Sequence, residues 1–413
     1  MPTKNLTTKQ SIYKKIKNII AKNVYKITRF FLIPSYPLEK LFPNAEKLHP
    51  IKPETVPTPE FKQIENEGLK FDKAIHKEDY SLPAIYTANL SEVIYYPRYD
   101  LIFTKSGKII KETISTLYYL NPYQILDLIK KVNIKFTNLF HFASKPEKIS
   151  GTCSLIREYG RQKNHAHTLV DIIPKIYLLN QPEYQNIDEI KLLFSSEPTN
   201  TERFLIEKLA PQNIKLTVVE NAERLYSIDK LIFSTKMTRS TRLYLPQEYI
   251  EYFRRKVLPK RESKKVNRIF ISRSKARHRR MINEAELFEA LKSYGFKKYF
   301  LEDMSVEDEI ELFYDAEYVV GTFGAGQANI IFSRQIKVLE IFANEYFMPD
   351  LYYLAKSLGH TYRYYNGYCA GLDSEKKLIG KDDMIWYKRT ADFRVNVSEV
   401  VECLLELEKQ HQF

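Results

Sequence analysis

Apolar positions near the start of the chain recur with a helical period. Ile12, Ile16, Ile19, Ile20, Val24, Ile27 and Phe31 form one stripe, Lys14, Lys15, Lys17, Lys22, Lys26 and Arg29 fall mostly on other faces, and Pro34 stops the run. This predicts a basic amphipathic helix over 1–34. The period then lapses, and residues 35–80, with their Pro, Glu, Lys and Thr, read as a linker and approach segment. Short apolar and aromatic runs at 91–96 and 100–104, followed by Ser106-Gly107, carry strand and hairpin signals. From Tyr159 to Pro246 helical and strand periods alternate, with helices predicted near 164–179 and 201–209 and strands at 190–195, 214–219 and 230–234. The alternation sharpens further on. Strands are predicted at 268–271, 298–301, 318–320 and 338–342, joined by helices at 283–293, 306–315, 326–332 and 350–358. Apolar, β-branched strands linked by helical crossovers predict an open doubly wound sheet. A last helix around 397–407 begins after Asn396 and is placed to pack back across a domain junction.

Composition narrows the classes. With 413 residues and 44% hydrophobic positions the chain buries a sizeable core and divides into two domains, which excludes a disordered tail protein. No run of eighteen apolar residues lacks charges, so neither a bilayer span nor an ordinary secretory signal is expected. Cys153, Cys369 and Cys403 are odd in number and far apart, against both a disulfide scaffold and a cysteine zinc site, so a reducing, cytoplasmic compartment fits. The net charge of +13 is concentrated in two places. Residues 1–40 hold nine Lys or Arg against Glu39, and residues 254–280 hold thirteen against Glu262, which leaves the remainder mildly acidic. The first segment suits an anionic membrane surface, engaged through residues 11–31, or a partner protein. The second suits a phosphorylated ligand. Nucleic acid is the alternative, but the acidic remainder and the lack of a recognisable RNA or DNA module make it unexpected.

Three windows carry chemistry. In the window 269–287 an apolar strand delivers Ser272 and Arg273 to its carboxyl end, Arg277, Arg279 and Arg280 follow, and a helix starts near Asn283. Ligands bind at that edge of an open α/β sheet, and planar guanidinium forks suit a diphosphate. A solvated basic loop is the plainer reading. In the window 319–332 a buried strand runs into Gly321, Gly324, Ala325 and Gly326 and then an apolar helix, a turn that lets backbone approach an anion. Its spacing is neither the dinucleotide fingerprint nor a P-loop, and tight packing alone explains glycine there. In the window 164–179 His167 and Asp171 lie four apart on one helical face, so the carboxylate can orient the imidazole as a general base. A purely structural pair has the same spacing. His165 and His167 as metal ligands would lack a completing partner.

Together and in this order the windows resemble the glycosyltransferase 61 family. The likeness rests on Asn164, His167, Asp171, Pro174 and Lys175; on Ser272-Arg273, Ala276-Arg277, Arg280, Asn283-Glu284 and Glu286-Leu287; and on Gly324-Ala325-Gly326, Asn329, Phe332 and Leu339-Glu340, over about residues 150 to 345. Two positions depart from it: Phe323 stands where the family usually has His, and Thr168 where it usually has an aromatic residue. The resemblance implies an α/β, GT-B-like fold of two Rossmann-like domains facing a cleft, here an acceptor domain over 81–245 and a nucleotide-sugar domain over 246–395, preceded by the amphipathic helix and followed by a helix over 396–413. It implies an inverting transfer of a hexosyl or pentosyl unit from a nucleotide sugar to a glycan or glycolipid hydroxyl. By analogy this belongs to capsule or lipopolysaccharide synthesis on the inner face of the membrane. His167 is then the base with Asp171 behind it. Ser272, Arg273, Arg277, Arg280, Glu284, Gly324, Ala325, Gly326, Asn329 and Glu340 become donor-binding candidates. No Asp-x-Asp motif accompanies them, so no cofactor or metal is expected. A non-catalytic membrane scaffold on a transferase fold is the other alternative.

Overall fold

The computed structural model describes residues 35–51, 55–56, 80–82, 84–113, 145–157, 164–238, 243–343, 348–368 and 391–409. The amphipathic helix expected over 1–34 lies outside them. The strands are Ser35–Tyr36 (β1), Lys47–Ile51 (β2), Thr55–Val56 (β3), Tyr80–Ser81 (β4), Ile85–Tyr96 (β5), Leu101–Thr104 (β6), Ile109–Ile110 (β7), Glu147–Leu155 (β8), Ile190–Phe194 (β9), Ile214–Val218 (β10), Tyr226–Ser234 (β11), Asn267–Ile271 (β12), Phe296–Tyr299 (β13), Ala316–Thr322 (β14), Lys337–Phe342 (β15) and Thr361–Asn366 (β16). The helices used below are His165–His167 (α1), Lys175–Leu179 (α2), Asn200–Leu209 (α3), Gln247–Val257 (α4), Glu284–Lys292 (α5), Val306–Tyr314 (α6), Asp350–Leu358 (α7) and Val397–Lys409 (α8).

The architecture is mixed α/β with two principal sheets. The first has nine strands in the order β1-β7-β6-β5-β11-β8-β9-β10, with β2 also on β5. It departs from the Rossmann-like expectation. The β11-β8-β9-β10 side is parallel, as is the short β1–β7 pair at the far edge, whereas β5 runs antiparallel to β11, β6 and β2. Residues 97–100 between β5 and β6 are too few for a crossover, so the chain must return antiparallel. Asp100 takes a left-handed conformation at that turn and its carboxylate accepts from the Tyr95 hydroxyl at 2.7 Å. The linker reading of 35–80 fails over 35–51, because β1 pairs with β7 and β2 with β5. Pro50 sits where the β2 register shifts, a position in which a missing N–H costs no ladder bond.

The second sheet is fully parallel, in the order β13-β12-β14-β15-β16. Its side chains alternate between two covered faces. Phe270, Tyr318, Val320, Leu339 and Ile341 pack with Leu287 and Leu291 of α5 and Val400, Leu404 and Leu407 of α8. The last helix therefore covers its own sheet rather than the junction. Ile269, Ile271, Val319 and Val338 face the other way, onto α6, α7 and a 3-10 helix over Ala325–Phe332. Chain order reverses between β12 and β14, and in open α/β sheets the crevice at such a switch point, at the carboxyl ends of the strands, takes ligands.

One apolar cluster joins the sheets. It runs from Leu169 and Ile176 through Leu205 and Phe253 to Phe313, Ile331 and Phe332. Helix α4, which the sequence reading did not single out, staples it: Phe253 stacks on Phe332 at 5.9 Å, and Gln247 and Arg254 donate to the Ser357 and Leu358 carbonyls at the end of α7.

Candidate functional site

The histidine-bearing segment begins at Asn164, whose side-chain oxygen accepts from the His167 backbone N–H at 3.3 Å. Pro174 has no N–H to continue an α-helical ladder, and the chain widens before it into a π-helical turn over Thr168–Ile172. That turn carries Asp171 into the interior, where it is fully buried. Its Oδ2 lies 2.7 Å from His167 Nδ1 and its Oδ1 accepts from the Thr238 hydroxyl. A carboxylate on Nδ1 fixes the tautomer that carries its proton there, leaving Nε2 as the basic nitrogen of a partly exposed ring.

His165, two residues earlier, has different company. Its Nε2 lies 2.5 Å from Asn329 Oδ1 and 3.9 Å from Glu309 Oε2. Burial lowers the His165 pKa and pushes the Glu309 carboxyl up to about 7. Both side chains line a cavity of about 650 Å³ together with Asn200, Phe204, Ser305 and Gly326, and among the described residues no Lys or Arg lines it. Neither His165 nor Glu309 was among the residues chosen from the sequence. Glu309 had left a signal there, a carboxyl on the buried stripe Val306, Ile310 and Phe313 of α6.

At the end of β12 the Ser272 hydroxyl donates to Glu284 Oε1 at 2.6 Å, and the Arg273 backbone N–H donates to Glu284 Oε2 at 3.0 Å. Glu284, expected on the donor, spends both oxygens on this loop, with Lys298 Nζ 3.4 Å away. Arg273 is half-buried. Its Nη2 donates to the His278 carbonyl at 3.2 Å, and its guanidinium lies so close over Gly324 that a Cβ there would fall on Nη1. Desolvation lowers its pKa, yet a guanidinium remains charged at any ordinary pH.

The other candidates divide. Arg280 is taken by Asp392, which accepts from its Nη2 at 2.6 Å and from its Nε and backbone N–H at 2.9 Å each, while Arg277 is exposed. Glu340 is 1% exposed, accepts from the Tyr362 hydroxyl at 2.7 Å and is held above the ordinary carboxylate range by burial, so it lies inside the sheet rather than on the cleft surface. Phe323 stacks on Phe342 at 5.4 Å. Ala325 and Gly326 are partly exposed, and a Cβ on Gly326 would come within 2.8 Å of Leu301 Cδ1.

The three windows meet on one short element. Arg273 covers Gly324 at the start of the 3-10 helix, Gly326 borders the cavity, and Asn329, fully buried, holds His165. The basic segment 254–280 does not form one continuous stripe of unmatched charge. Arg261 pairs with Asp315, Arg268 with Glu317, Lys275 with Asp303 and Arg280 with Asp392. Among the described residues no group of three or more His, Cys, Asp or Glu is set to hold a metal ion, and no helix is long and apolar enough to cross a membrane.

Residues 165–339 match the glycosyltransferase 61 family. No curated protein matches the sequence. Among solved structures the chain is similar to the bacterial iron-containing dodecameric glycosyltransferase TibC from enterotoxigenic E. coli, at 10% identity and a TM-score of 0.27, over 64% of this chain and 78% of that one.

Proposed function

We propose that this chain, whose residues 165–339 match the glycosyltransferase 61 family, carries out an inverting, metal-independent transfer of a sugar from a nucleoside-diphosphate donor to a glycan or glycolipid hydroxyl. The observation that carries this reading is the convergence of Arg273, the Gly324–Gly326 turn and the histidine segment on the 3-10 helix beside the switch point. In a GT-B-like working arrangement the donor lies at the carboxyl edge of the second sheet, with Arg273 and the turn's backbone on the diphosphate. The acceptor approaches from the first-sheet side, along a cavity wall whose described residues are uncharged or acidic and offer a second diphosphate no cation.

The chemistry balances without a covalent intermediate. The acceptor oxygen attacks the anomeric carbon as the bond to the diphosphate oxygen breaks, which inverts that centre. Nε2 of His167 takes the hydroxyl proton, and Asp171 stabilises the imidazolium that forms. Arg273 and the turn neutralise the charge gained by the leaving diphosphate. The amphipathic segment 11–31 is proposed to hold the enzyme on an anionic membrane face, where surface polysaccharide precursors are built. Thermal-shift screening of the purified chain against nucleotide sugars, followed by turnover with the best donor, tests the reading. Stabilisation and turnover are expected. No response to any nucleoside diphosphate, with tight salt-sensitive binding of an oligonucleotide instead, overturns it. Deleting residues 1–34 is expected to release the protein from anionic vesicles while leaving turnover in solution, and continued vesicle binding removes the membrane role.

A further inference from the structure

Two imidazoles two residues apart hold opposite tautomers. Asp171 fixes the proton of His167 on Nδ1 and leaves Nε2 basic. At His165 the order is reversed. Nε2 lies 2.5 Å from Asn329 Oδ1, and an amide oxygen can only accept, so Nε2 carries the proton and Nδ1 the lone pair. Burial lowers the His165 pKa, which keeps the ring neutral and that lone pair in place at neutral pH. Nδ1 makes no hydrogen bond among the described residues, and it is not sealed from solvent, in a side chain 26% exposed. Residues two apart on a helical turn face different ways, and of the two histidines only His165 is among the described residues lining the cavity.

That cavity lies between the first turns of α3 and α6, helices that belong to different sheets. Its volume of about 650 Å³ falls within the span of small-ligand pockets, roughly 300 to 1,000 Å³. Leu301 and Phe204 give it an apolar wall, Asn200 and Thr201 bring neutral polar groups, and its only charged side chains among the described residues are carboxylates, Glu309 included. Such a lining suits a ring with apolar C–H faces and hydroxyl edges, and it repels one that carries a carboxylate or a phosphate. We propose that this cavity is a subsite for an uncharged sugar ring and that His165 Nδ1 accepts a hydrogen bond from one of its hydroxyls. The inference deepens the transferase reading and rests on it. His165 binds and orients the ring; it moves no proton. In the arrangement above the ring is the acceptor's, and since the donor's own sugar has the same chemistry the test separates the two.

Two amide replacements divide the imidazole. In His165→Gln the side-chain amide nitrogen reaches the place of Nε2 and can still donate to Asn329, while the acceptor at Nδ1 is lost. In His165→Asn the amide oxygen takes the place of Nδ1, while Asn329 Oδ1 loses its donor. Tm is therefore expected to fall more in His165→Asn, and sugar binding more in His165→Gln. One readout is KM for transfer onto methyl glycosides of glucose, galactose, mannose, rhamnose and N-acetylglucosamine. The other is the calorimetric affinity of the full chain for its best nucleotide sugar against the bare nucleoside diphosphate. His165→Gln should raise the acceptor KM about fivefold to tenfold, or, where the ring is the donor's, weaken the nucleotide sugar by that factor and leave the diphosphate alone. Methyl glucuronoside should be a poorer acceptor than the best neutral glycoside. Losses larger in His165→Asn, in step with Tm, make His165 structural and overturn the proposal, as does wild-type behaviour of His165→Gln in both arms or a preference for the glucuronoside. Where no glycoside is a substrate, unchanged nucleotide-sugar affinity in His165→Gln overturns it and leaves the transferase reading standing. A wild type that neither binds nor turns over any nucleotide sugar overturns that reading and the assignment with it.

Discussion

Two arginines occupy matching stations in the two sheets. Arg157 lies two residues beyond β8 and Arg273 two residues beyond β12, and each has a glutamate nearby on the first turn of a helix, Glu202 on α3 and Glu284 on α5. In the first sheet the pair is closed. Arg157 donates from Nε and Nη2 to Glu202 at 3.0 and 2.6 Å and to the Ser196 and Glu197 carbonyls, with both side chains out of solvent. In the second sheet the glutamate turns instead to Ser272 and to backbone, and the Arg273 guanidinium folds over a glycine. The same local arrangement makes a sealed joint in one place and an available cation in the other. What decides between them is the partner the carboxylate takes.

The comparison breaks first at Arg157. Arg157→Ala leaves Glu202 buried and unmatched, so a stability loss of about 3 to 5 kcal/mol by denaturant titration is expected, with donor affinity of the folded fraction unchanged. A loss under about 1 kcal/mol would mean the joint is not sealed. The first-sheet side is proposed to contribute chemistry rather than donor grip. His167→Ala should therefore lower turnover on the order of 100-fold or more while donor affinity stays near wild type; near-normal turnover rejects it as the base. On the second sheet the effects reverse. Arg273→Ala should weaken diphosphate binding by about 1 to 3 kcal/mol with little change in Tm, and Gly324→Ala, by pushing the guanidinium aside, should show a smaller loss of the same kind. A drop in Tm in place of lost affinity would make Arg273 another structural arginine.

The smallest effect sharpens the boundary between the halves. The fold raises the Glu309 carboxyl to about 7, so the protonated form is the one it favours. Its contribution to stability is full below the unfolded carboxyl value, about 4.3, and is lost as pH rises through about 7. Wild-type Tm is expected to fall between about pH 4.5 and pH 7 and to level off above that, whereas Glu309→Gln, always neutral, should lack that component. Parallel curves for the two proteins would show that the carboxyl beside His165 is not buried enough to matter.

Much of the second sheet was legible because strands covered on both faces have no polar alternation to confuse them. β12, β14 and β15 fell within two residues of expectation. β16 was not, since Thr361–Asn366 mixes aromatic and polar residues with no aliphatic position among them. The short β1 and β2 carry too few apolar positions to announce themselves, and their partners lie tens of residues away. At the site, spacing alone paired His167 with Asp171. It had no means of seeing that Arg280 is taken, because Asp392 lies 112 residues further along the chain. Nor could it assign His165, whose partner Asn329 is 164 residues distant.

The unbroken apolar cluster through α4 has a consequence for how the molecule melts. Phe253 and Phe332 belong to a single interior, so the halves have no separate thermodynamic existence. Heating should give one calorimetric peak, and a polypeptide severed between the sheets should yield two sticky fragments instead of two working modules. By the same logic a nucleotide seated at one rim should slow amide exchange in strands of the opposite half that it never touches.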